Sequence, residues 1–200
     1  MPKHVVKQFG LQRTGTNYVR QLLMHNYNVK VLTNGGGWKH GRYKVKRSLG
    51  HEVDCIVMVK DLLSWLWSYY RYAGKEGSFQ HFVMRGTHVE HWNALNAHWL
   101  DVAERLKDSK MVFSRCEDLV ANPKKECQRI AKALGLTRTK GRFWDTDKRI
   151  NAGGKLTPHT FNRGALIRGD FMKNYTRKLI KFVAELQDED VAVRLGYKPL

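Results

Sequence analysis

No apolar run in this 200-residue sequence is long enough for a membrane span or a secretory signal peptide. Cysteine is scarce as well: Cys55, Cys116 and Cys127 are the only three, and no two of them have CxxC spacing. An odd number without that spacing indicates neither a disulfide framework nor a zinc cluster. These absences predict a soluble, cytoplasmic protein.

Acidic side chains are few: 18 Asp and Glu stand against 36 Lys and Arg, which gives a formal net charge of +18. Such an excess suggests an anionic partner, whether nucleotide, acidic glycan, nucleic acid or membrane surface, without specifying a site. Basic stretches at 39–47 and 138–149 are either solvated loops or surfaces that attract an acidic acceptor.

The sequence contains no repeat and no low-complexity tract, and its length fits a single domain over residues 1–200. Strands are predicted at 5–9, 29–32, 55–59 and 110–113. Helices are predicted at 17–26, 61–72, 88–106, 122–135 and 173–186. We expect 137–168 to be irregular.

Alternation of strands and helices predicts an α/β fold with three layers, α/β/α, around a central parallel sheet. Ligands of such sheets bind beyond the carboxyl ends of the strands. The loops after Phe9, Leu32, Val59 and Phe113 should therefore meet at one edge.

The segment GLQRTGTN follows the first predicted strand and precedes a predicted helix. Gly10 and Gly15 have the spacing of a phosphate-binding P-loop, G-x-x-x-x-G-K-[ST]. Thr16, however, stands where that loop needs Lys, and Asn17 stands where it needs the hydroxyl that binds Mg²⁺. Arg13 supplies the positive charge instead. Backbone N–H groups at the helix start can still bind an anion, but this pattern argues against Mg·ATP chemistry.

This loop resembles the 5′-phosphosulfate loop of sulfotransferases that use 3′-phosphoadenosine 5′-phosphosulfate (PAPS). Arg13, Thr14, Gly15 and Thr16 match the family's pattern, and Asn17 replaces its final hydroxyl residue.

Two further segments resemble the same family. In VMVKDLLSWLWSYYRY, Lys60 ends a strand and Ser68 follows eight residues later, as in the family's 3′-phosphate segment, where the cation is Arg. The segment MVFSRCEDLVANPKKECQRIAKALGL resembles its strand, Tyr-Glu-Asp-Leu turn and amphipathic helix. Cys116 stands at the position of the tyrosine that lies near the adenine, while Glu117 and Asp118 are expected to orient the turn.

Near the C-terminus, FNRGALIRGDFMKNYT is similar to the family's basic-Gly segment. Arg163 and Gly164 are our candidates for closing over the 3′-phosphate, with Arg168 and Gly169 as the rival pair. The closing VRLGYKP also resembles family C-termini.

The resemblance implies a P-loop NTPase-like sulfotransferase fold and transfer of a sulfuryl group from PAPS to a hydroxyl or amine, without a metal. The acceptor is open: carbohydrate, small alcohol, peptide and lipid-linked sugar all remain. The residues expected to bind the nucleotide are Gln12, Arg13, Thr14, Gly15, Thr16, Asn17, Lys60, Ser68, Cys116, Arg163 and Gly164.

Arg13 and His40 are the predicted catalytic residues. Arg13 would stabilise charge on the leaving phosphate. The family usually has a histidine or glutamate as general base between the first loop and the 3′-phosphate strand, and His40 in GWKHG lies there. His51 and Glu52 are the alternatives.

Two other classes compete with this interpretation. A P-loop kinase of nucleosides or small molecules would need the lysine and hydroxyl that Thr16 and Asn17 replace. A nucleic-acid-binding protein would explain the charge of +18, but no known nucleic-acid module is visible in the sequence. No metal site is predicted, because neither Cys nor carboxylate completes a ligand set with His88, His91 and His98.

Overall fold

The computed structural model describes residues 4–45, 49–73, 77–151, 153 and 155–200, so part of the basic stretch 39–47 lies outside the described residues. A central sheet of four parallel strands has the order β2-β1-β3-β4. The strands are β1 (His4–Gly10), β2 (Val29–Leu32), β3 (Asp54–Val59) and β4 (Met111–Arg115).

Helices follow β1, β3 and β4 along the chain, and three more lie near the C-terminus. They are α1 (Thr16–Asn26), α2 (Leu62–Tyr72), α3 (Phe79–Met84), α4 (Thr87–Arg105), α5 (Cys116–Ala121), α6 (Pro123–Leu134), α7 (Arg163–Ile167), α8 (Arg177–Leu186) and α9 (Glu189–Arg194). None of the helices in these ranges combines the length and apolar character needed to cross a bilayer.

The sheet has a hydrophobic core on each face. Side chains of a strand alternate between faces, so Val57 of β3 packs with α2 and α4 while Ile56 packs with α1 and α6. This explains why CIVMV is continuously apolar. The prediction of an α/β fold with a parallel sheet between helices is confirmed.

The predicted starts of two helices are confirmed by their caps. The Asp61 carboxylate accepts a hydrogen bond from the Ser64 amide at 2.8 Å and begins α2. The Asn122 side chain accepts from the Lys125 amide at 3.0 Å and begins α6, which ends at Gly135 in the left-handed region.

The expectation that 137–168 is irregular holds for 137–147 but was wrong for 148–167. This region contains an antiparallel hairpin of β5 (Lys148–Ile150) and β6 (Leu156–Thr160), followed by α7. The hairpin strands are largely exposed and polar, and β6 includes Pro158, so neither hydrophobic alternation nor composition indicates a strand.

The predicted helix over 173–186 was also wrong in its first turn. A 3₁₀ turn covers Asp170–Asn174, and α8 begins only after Thr176, whose hydroxyl accepts from the Leu179 amide at 3.2 Å. The sequence argument did not anticipate α3, α5 or α9.

Candidate functional site

The loop between β1 and α1 depends on two glycines. A Cβ on Gly10 would lie 2.6 Å from the Met58 carbonyl oxygen, and one on Gly15 would lie 3.4 Å from the Cys116 sulfur. Both residues have positive φ, which favours glycine. The buried Thr14 hydroxyl donates to the Leu11 carbonyl at 2.7 Å and braces the turn.

Arg13 is the only non-glycine residue with positive φ (71°) in the described ranges. Its guanidinium lies over the Tyr72 ring at 5.4 Å. Burial lowers the pKa of Arg13, and repulsion from Arg149 lowers it further, although the side chain keeps access to solvent. The loop therefore holds a cation in a strained backbone conformation, as binding sites often do.

The N-terminus of α1 opens into a cavity of about 650 Å³, which is within the usual range for small-molecule sites. Gly15, Thr16 and Asn17 form part of its wall. The first turn of α1 carries no acidic residue and no side-chain cap. The Tyr18 and Val19 amides donate to the Gly15 carbonyl at 3.0 Å, which leaves the Thr16 and Asn17 amides at the start of the helix for an anion.

Lys60 and Ser68 line the same cavity as Arg13. The Lys60 ammonium, only 5% exposed, donates to the Ser68 hydroxyl at 2.6 Å. Burial lowers the pKa of Lys60, while Cys116 and Glu117 oppose that effect. The end of β3 and the second turn of α2 thus place the Lys60 ammonium and the Ser68 hydroxyl next to each other in the cavity wall.

Ser64 adds a further hydroxyl to this wall. It is 1% exposed and lines the cavity, yet its Oγ has no hydrogen-bond partner among the residues that the structure describes. A buried hydroxyl without a partner is costly, so Ser64 is suited to a ligand that would satisfy it.

The cavity wall has a strong excess of positive charge. Its lysine and arginine side chains are Arg13, Lys60, Arg71, Lys148 and Arg149. No Asp or Glu occurs among the lining residues that the structure describes. Such a site favours a multiply charged anion.

Arg163, Gly164 and Arg168 do not line this cavity. The Arg163 guanidinium forms two hydrogen bonds with Asp145, at 2.7 and 2.8 Å, and lies over the Tyr18 ring at 5.1 Å. Arg168 pairs with Asp170 at 2.7 Å. Acidic partners hold both arginines, and Lys148 and Arg149 of the hairpin provide positive charge to the cavity instead.

His40 and Gln12 face a second, smaller cavity. His40 Nδ1 lies 2.6 Å from the Gly10 carbonyl oxygen, and the Gly10 amide donates to the Lys39 carbonyl at 3.0 Å. Burial is the main cause that lowers the pKa of His40 to about 4. The hydrogen bond to Gly10 acts to raise this pKa, and the positive charges of Lys39 and Lys7 act to lower it.

The alternative bases lie elsewhere. His51 and Glu52 precede the amino end of β3, whereas Lys60 follows its carboxyl end. Glu52 accepts a hydrogen bond from the Asp108 amide at 3.2 Å. The structure brings neither residue to the cavity, because a strand separates them from it.

Cys116 lies beneath the loop and is 3% exposed. Burial raises the pKa of its thiol to about 12. Because Gly15 approaches it closely, a larger side chain at this position would press against the loop.

Sequence reasoning missed several residues of the site. Lys7 lines neither cavity, but it is fully buried and donates to the Thr33 and Gly37 carbonyls, so it orders the segment that leads to His40. Arg71, Tyr72, Phe161 and Phe171 also line the cavity and lie in segments that resemble the family, which implies no role for them. Thr157 and His159 lie in no motif. For Lys148 and Arg149, the basic stretch 138–149 was the signal.

The comparisons with known proteins add no family to this description. No protein-family model matches the chain, and no curated protein matches it significantly. Within the described residues, no group of three or more His, Cys, Asp or Glu side chains could hold a metal ion.

Proposed function

We propose that the protein is a sulfotransferase that moves a sulfuryl group from PAPS to a hydroxyl or amine, with a P-loop NTPase-like sulfotransferase fold over a single domain. One observation carries the proposal: Arg13 from one motif and Lys60 and Ser68 from another line the same cavity. A nucleotide with phosphates on both sides of its ribose matches this arrangement of positive groups.

Arg13 and the N-terminal amides of α1 would bind the phosphosulfate, and Lys60 and Ser68 would bind the 3′-phosphate. This division is supported by the positions of the two groups in the fold: Arg13 follows β1, whereas Lys60 follows β3. Lys39 supports the first site, because its ammonium donates to the Asn17 side chain at 2.6 Å and fixes that residue at the start of α1.

In the proposed reaction the acceptor oxygen forms a bond to sulfur while the bond from sulfur to the phosphate oxygen breaks. Negative charge grows on the leaving phosphate, where Arg13 and backbone N–H groups would stabilise it. The acceptor hydroxyl loses its proton, and His40 is the proposed base. Such a base contributes typically about 10²–10⁴-fold.

Calorimetric titration with adenosine 3′,5′-bisphosphate, ATP·Mg²⁺ and a random oligonucleotide tests the proposal. We expect the bisphosphate to bind most tightly. Preference for ATP·Mg²⁺ would instead support the kinase alternative, and preference for the oligonucleotide would support a nucleic-acid-binding protein.

The Arg13→Ala variant tests the catalytic assignment. We expect turnover to fall by about 10²–10³-fold, as for loss of one donor to a developing oxyanion. Sulfation of an accepted substrate, measured with saturating PAPS, gives this number. Arg168→Ala removes an arginine outside the cavity and should keep normal turnover; equal losses in both variants would contradict the assignment.

A further inference from the structure

Helix α2 turns one side to the core and another to the large cavity. Ser64, Ser68 and Arg71 are spaced by four and three residues, so they share one face of the helix. All three line the cavity. A ligand that lies along this face can therefore contact the two hydroxyls and the guanidinium together. The residues of α2 that belong to the core are Leu62, Leu63, Trp65 and Leu66.

The first turns of this face already contain most of an anion site. The Lys60 ammonium donates to the Ser68 hydroxyl at 2.6 Å, and both residues line the cavity. Ser64 is 1% exposed, and its hydroxyl has no hydrogen-bond partner in the ranges that the structure describes. A buried hydroxyl in a cavity wall can satisfy its hydrogen-bonding capacity with an oxygen of a bound anion.

Lys60 by itself does not balance the charge of a terminal phosphate. A phosphate monoester carries about −1.5 to −2 at neutral pH. Two carboxylates also lie beside Lys60: Asp61 follows it in the chain, and the Glu117 carboxylate accepts from the Asp61 amide at 3.2 Å. They offset part of the Lys60 charge, so a second cation is needed on this side of the cavity.

Arg71 is the cation that α2 itself provides. It lies three residues after Ser68, which places the two Cβ atoms about 5–6 Å apart, a gap that the long arginine side chain spans. Arg71 is exposed and forms no ion pair with any carboxylate in the part of the chain that the structure describes. A guanidinium offers two parallel N–H donors to a phosphate, whereas the Lys60 ammonium acts as a point charge.

We propose that Arg71 makes the site selective for a nucleotide with a 3′-phosphate. Its guanidinium would bind the phosphate oxygens from one side, and Lys60, Ser64 and Ser68 would bind them from the other. This inference rests on the proposed function for the identity of the nucleotide. It assigns to α2 the role expected of Arg163, whose guanidinium pairs with a carboxylate outside the cavity. Adenosine 5′-phosphosulfate, which lacks the 3′-phosphate, would then be a poor donor.

Calorimetric titration with adenosine 3′,5′-bisphosphate and adenosine 5′-monophosphate tests this role, because the two ligands differ only in the 3′-phosphate. For wild type we expect the bisphosphate to bind at least about hundredfold more tightly. Arg71→Ala should weaken bisphosphate binding by about 10- to 100-fold and monophosphate binding by less than about twofold. Arg71→Lys keeps the charge without the two parallel donors and should weaken bisphosphate binding by about three- to tenfold.

Arg85→Ala is the control for net charge, because Arg85 is an exposed arginine that lines neither cavity. It should change both affinities by less than about twofold. Since Arg71 is exposed as well, its variants should fold as wild type does, which circular dichroism checks.

The outcomes distinguish this inference from the proposed function. If wild type selects the bisphosphate and Arg71→Ala keeps that selectivity, the role of Arg71 fails alone. Equal losses for both ligands in Arg71→Ala, or the same loss of bisphosphate affinity in Arg85→Ala, would also overturn it. If wild type binds both ligands alike, the protein has no 3′-phosphate site, and the sulfotransferase proposal fails together with this inference.

Discussion

At the scale of single residues, two buried serines make a matched pair. Ser64 and Ser114 are each 1% exposed. Within the described part of the chain the Ser64 hydroxyl has no partner, whereas the Ser114 hydroxyl donates to the Glu126 carboxylate at 2.7 Å. The same substitution should therefore change stability in opposite directions at the two positions.

We expect Ser64→Ala to raise the free energy of unfolding by about 1 kcal/mol, because it removes an unsatisfied buried hydroxyl. The same change should weaken adenosine 3′,5′-bisphosphate binding by about tenfold if Ser64 contacts a phosphate. Urea unfolding and calorimetry measure the two effects.

Ser114→Ala is the control and should lower the free energy of unfolding by about 1 kcal/mol without changing nucleotide affinity. Ser64→Ala with unchanged affinity would show that Ser64 does not contact the ligand.

His40 gives a prediction about pH. Its pKa, lowered to about 4 mainly by burial, keeps the imidazole neutral well below pH 6.5. The acid limb of kcat/KM should therefore fall near pH 4, since that profile reports the free enzyme. Unfolded protein binds a proton on His40 below about pH 6.5 and the native state does not, so stability should decrease as pH falls from 6.5 toward 4.

Urea unfolding at pH 7 and pH 5 measures this loss, with His40→Gln as the comparison. The variant should lose less stability than wild type over that interval. An acid limb of kcat/KM near pH 6.5 would contradict the buried state of His40, and full activity of His40→Ala would end its assignment as base.

At the scale of structural elements, a cluster around Asp145 helps to hold the hairpin β5–β6 to α1, where the Asn17 side-chain amide also donates to the Ile150 carbonyl at 3.4 Å. The Tyr18 hydroxyl donates to Asp145 at 2.6 Å, and Arg163 binds the same carboxylate from the other end of the hairpin segment. Burial acts to raise the pKa of Asp145, but hydrogen bonds from Arg163 and Tyr18 outweigh it and lower the pKa. This cluster fixes the hairpin that carries Lys148 and Arg149 into the cavity wall.

Asp145→Asn should loosen that wall. We expect amide hydrogen exchange across 148–160 to accelerate by about three- to tenfold, since the exposed pair contributes only modestly. Nucleotide affinity should fall several-fold, because the loosened hairpin carries Lys148 and Arg149 of the cavity wall. In wild type the charged Asp145 carboxylate holds the hairpin to α1. This attachment should therefore be present above the lowered pKa of Asp145 and be lost as the pH falls through that pKa.

Asp170→Asn breaks a pair with Arg168 outside the cavity and should leave exchange across the hairpin unchanged. Similar acceleration in both variants would show that general loss of surface ion pairs, and not this cluster, is responsible.

The sequence predicted the elements whose signals are local. β3 is a continuous apolar run, and α2 and α6 begin at side-chain caps, so their positions could be predicted to within a residue or two. The hairpin could not be, because its polar strands are stabilised by pairing with each other and by the Asp145 cluster. The place of Arg163 could not be predicted for the same reason, because its guanidinium pairs with a carboxylate that lies 18 residues away in sequence.

At the scale of the whole molecule, the net charge of +18 should attract polyanions without selecting among them. We expect affinity for a random 20-nucleotide strand to fall at least about hundredfold between 50 and 300 mM salt. If adenosine 3′,5′-bisphosphate binds in the cavity through directed hydrogen bonds, as proposed, its affinity should fall by less than about tenfold over the same range.

Titrations at several salt concentrations measure both slopes. A bisphosphate affinity as salt-sensitive as that of the oligonucleotide would mean that diffuse charge, and not the cavity, binds the nucleotide.

The left-handed backbone of Arg13 has a consequence for the protein's evolution. That conformation costs an arginine roughly 1–2 kcal/mol, and glycine would adopt it freely. A library screened for heat resistance alone should therefore accumulate glycine at position 13 and become catalytically inert, whereas lineages selected for turnover must tolerate the less stable loop.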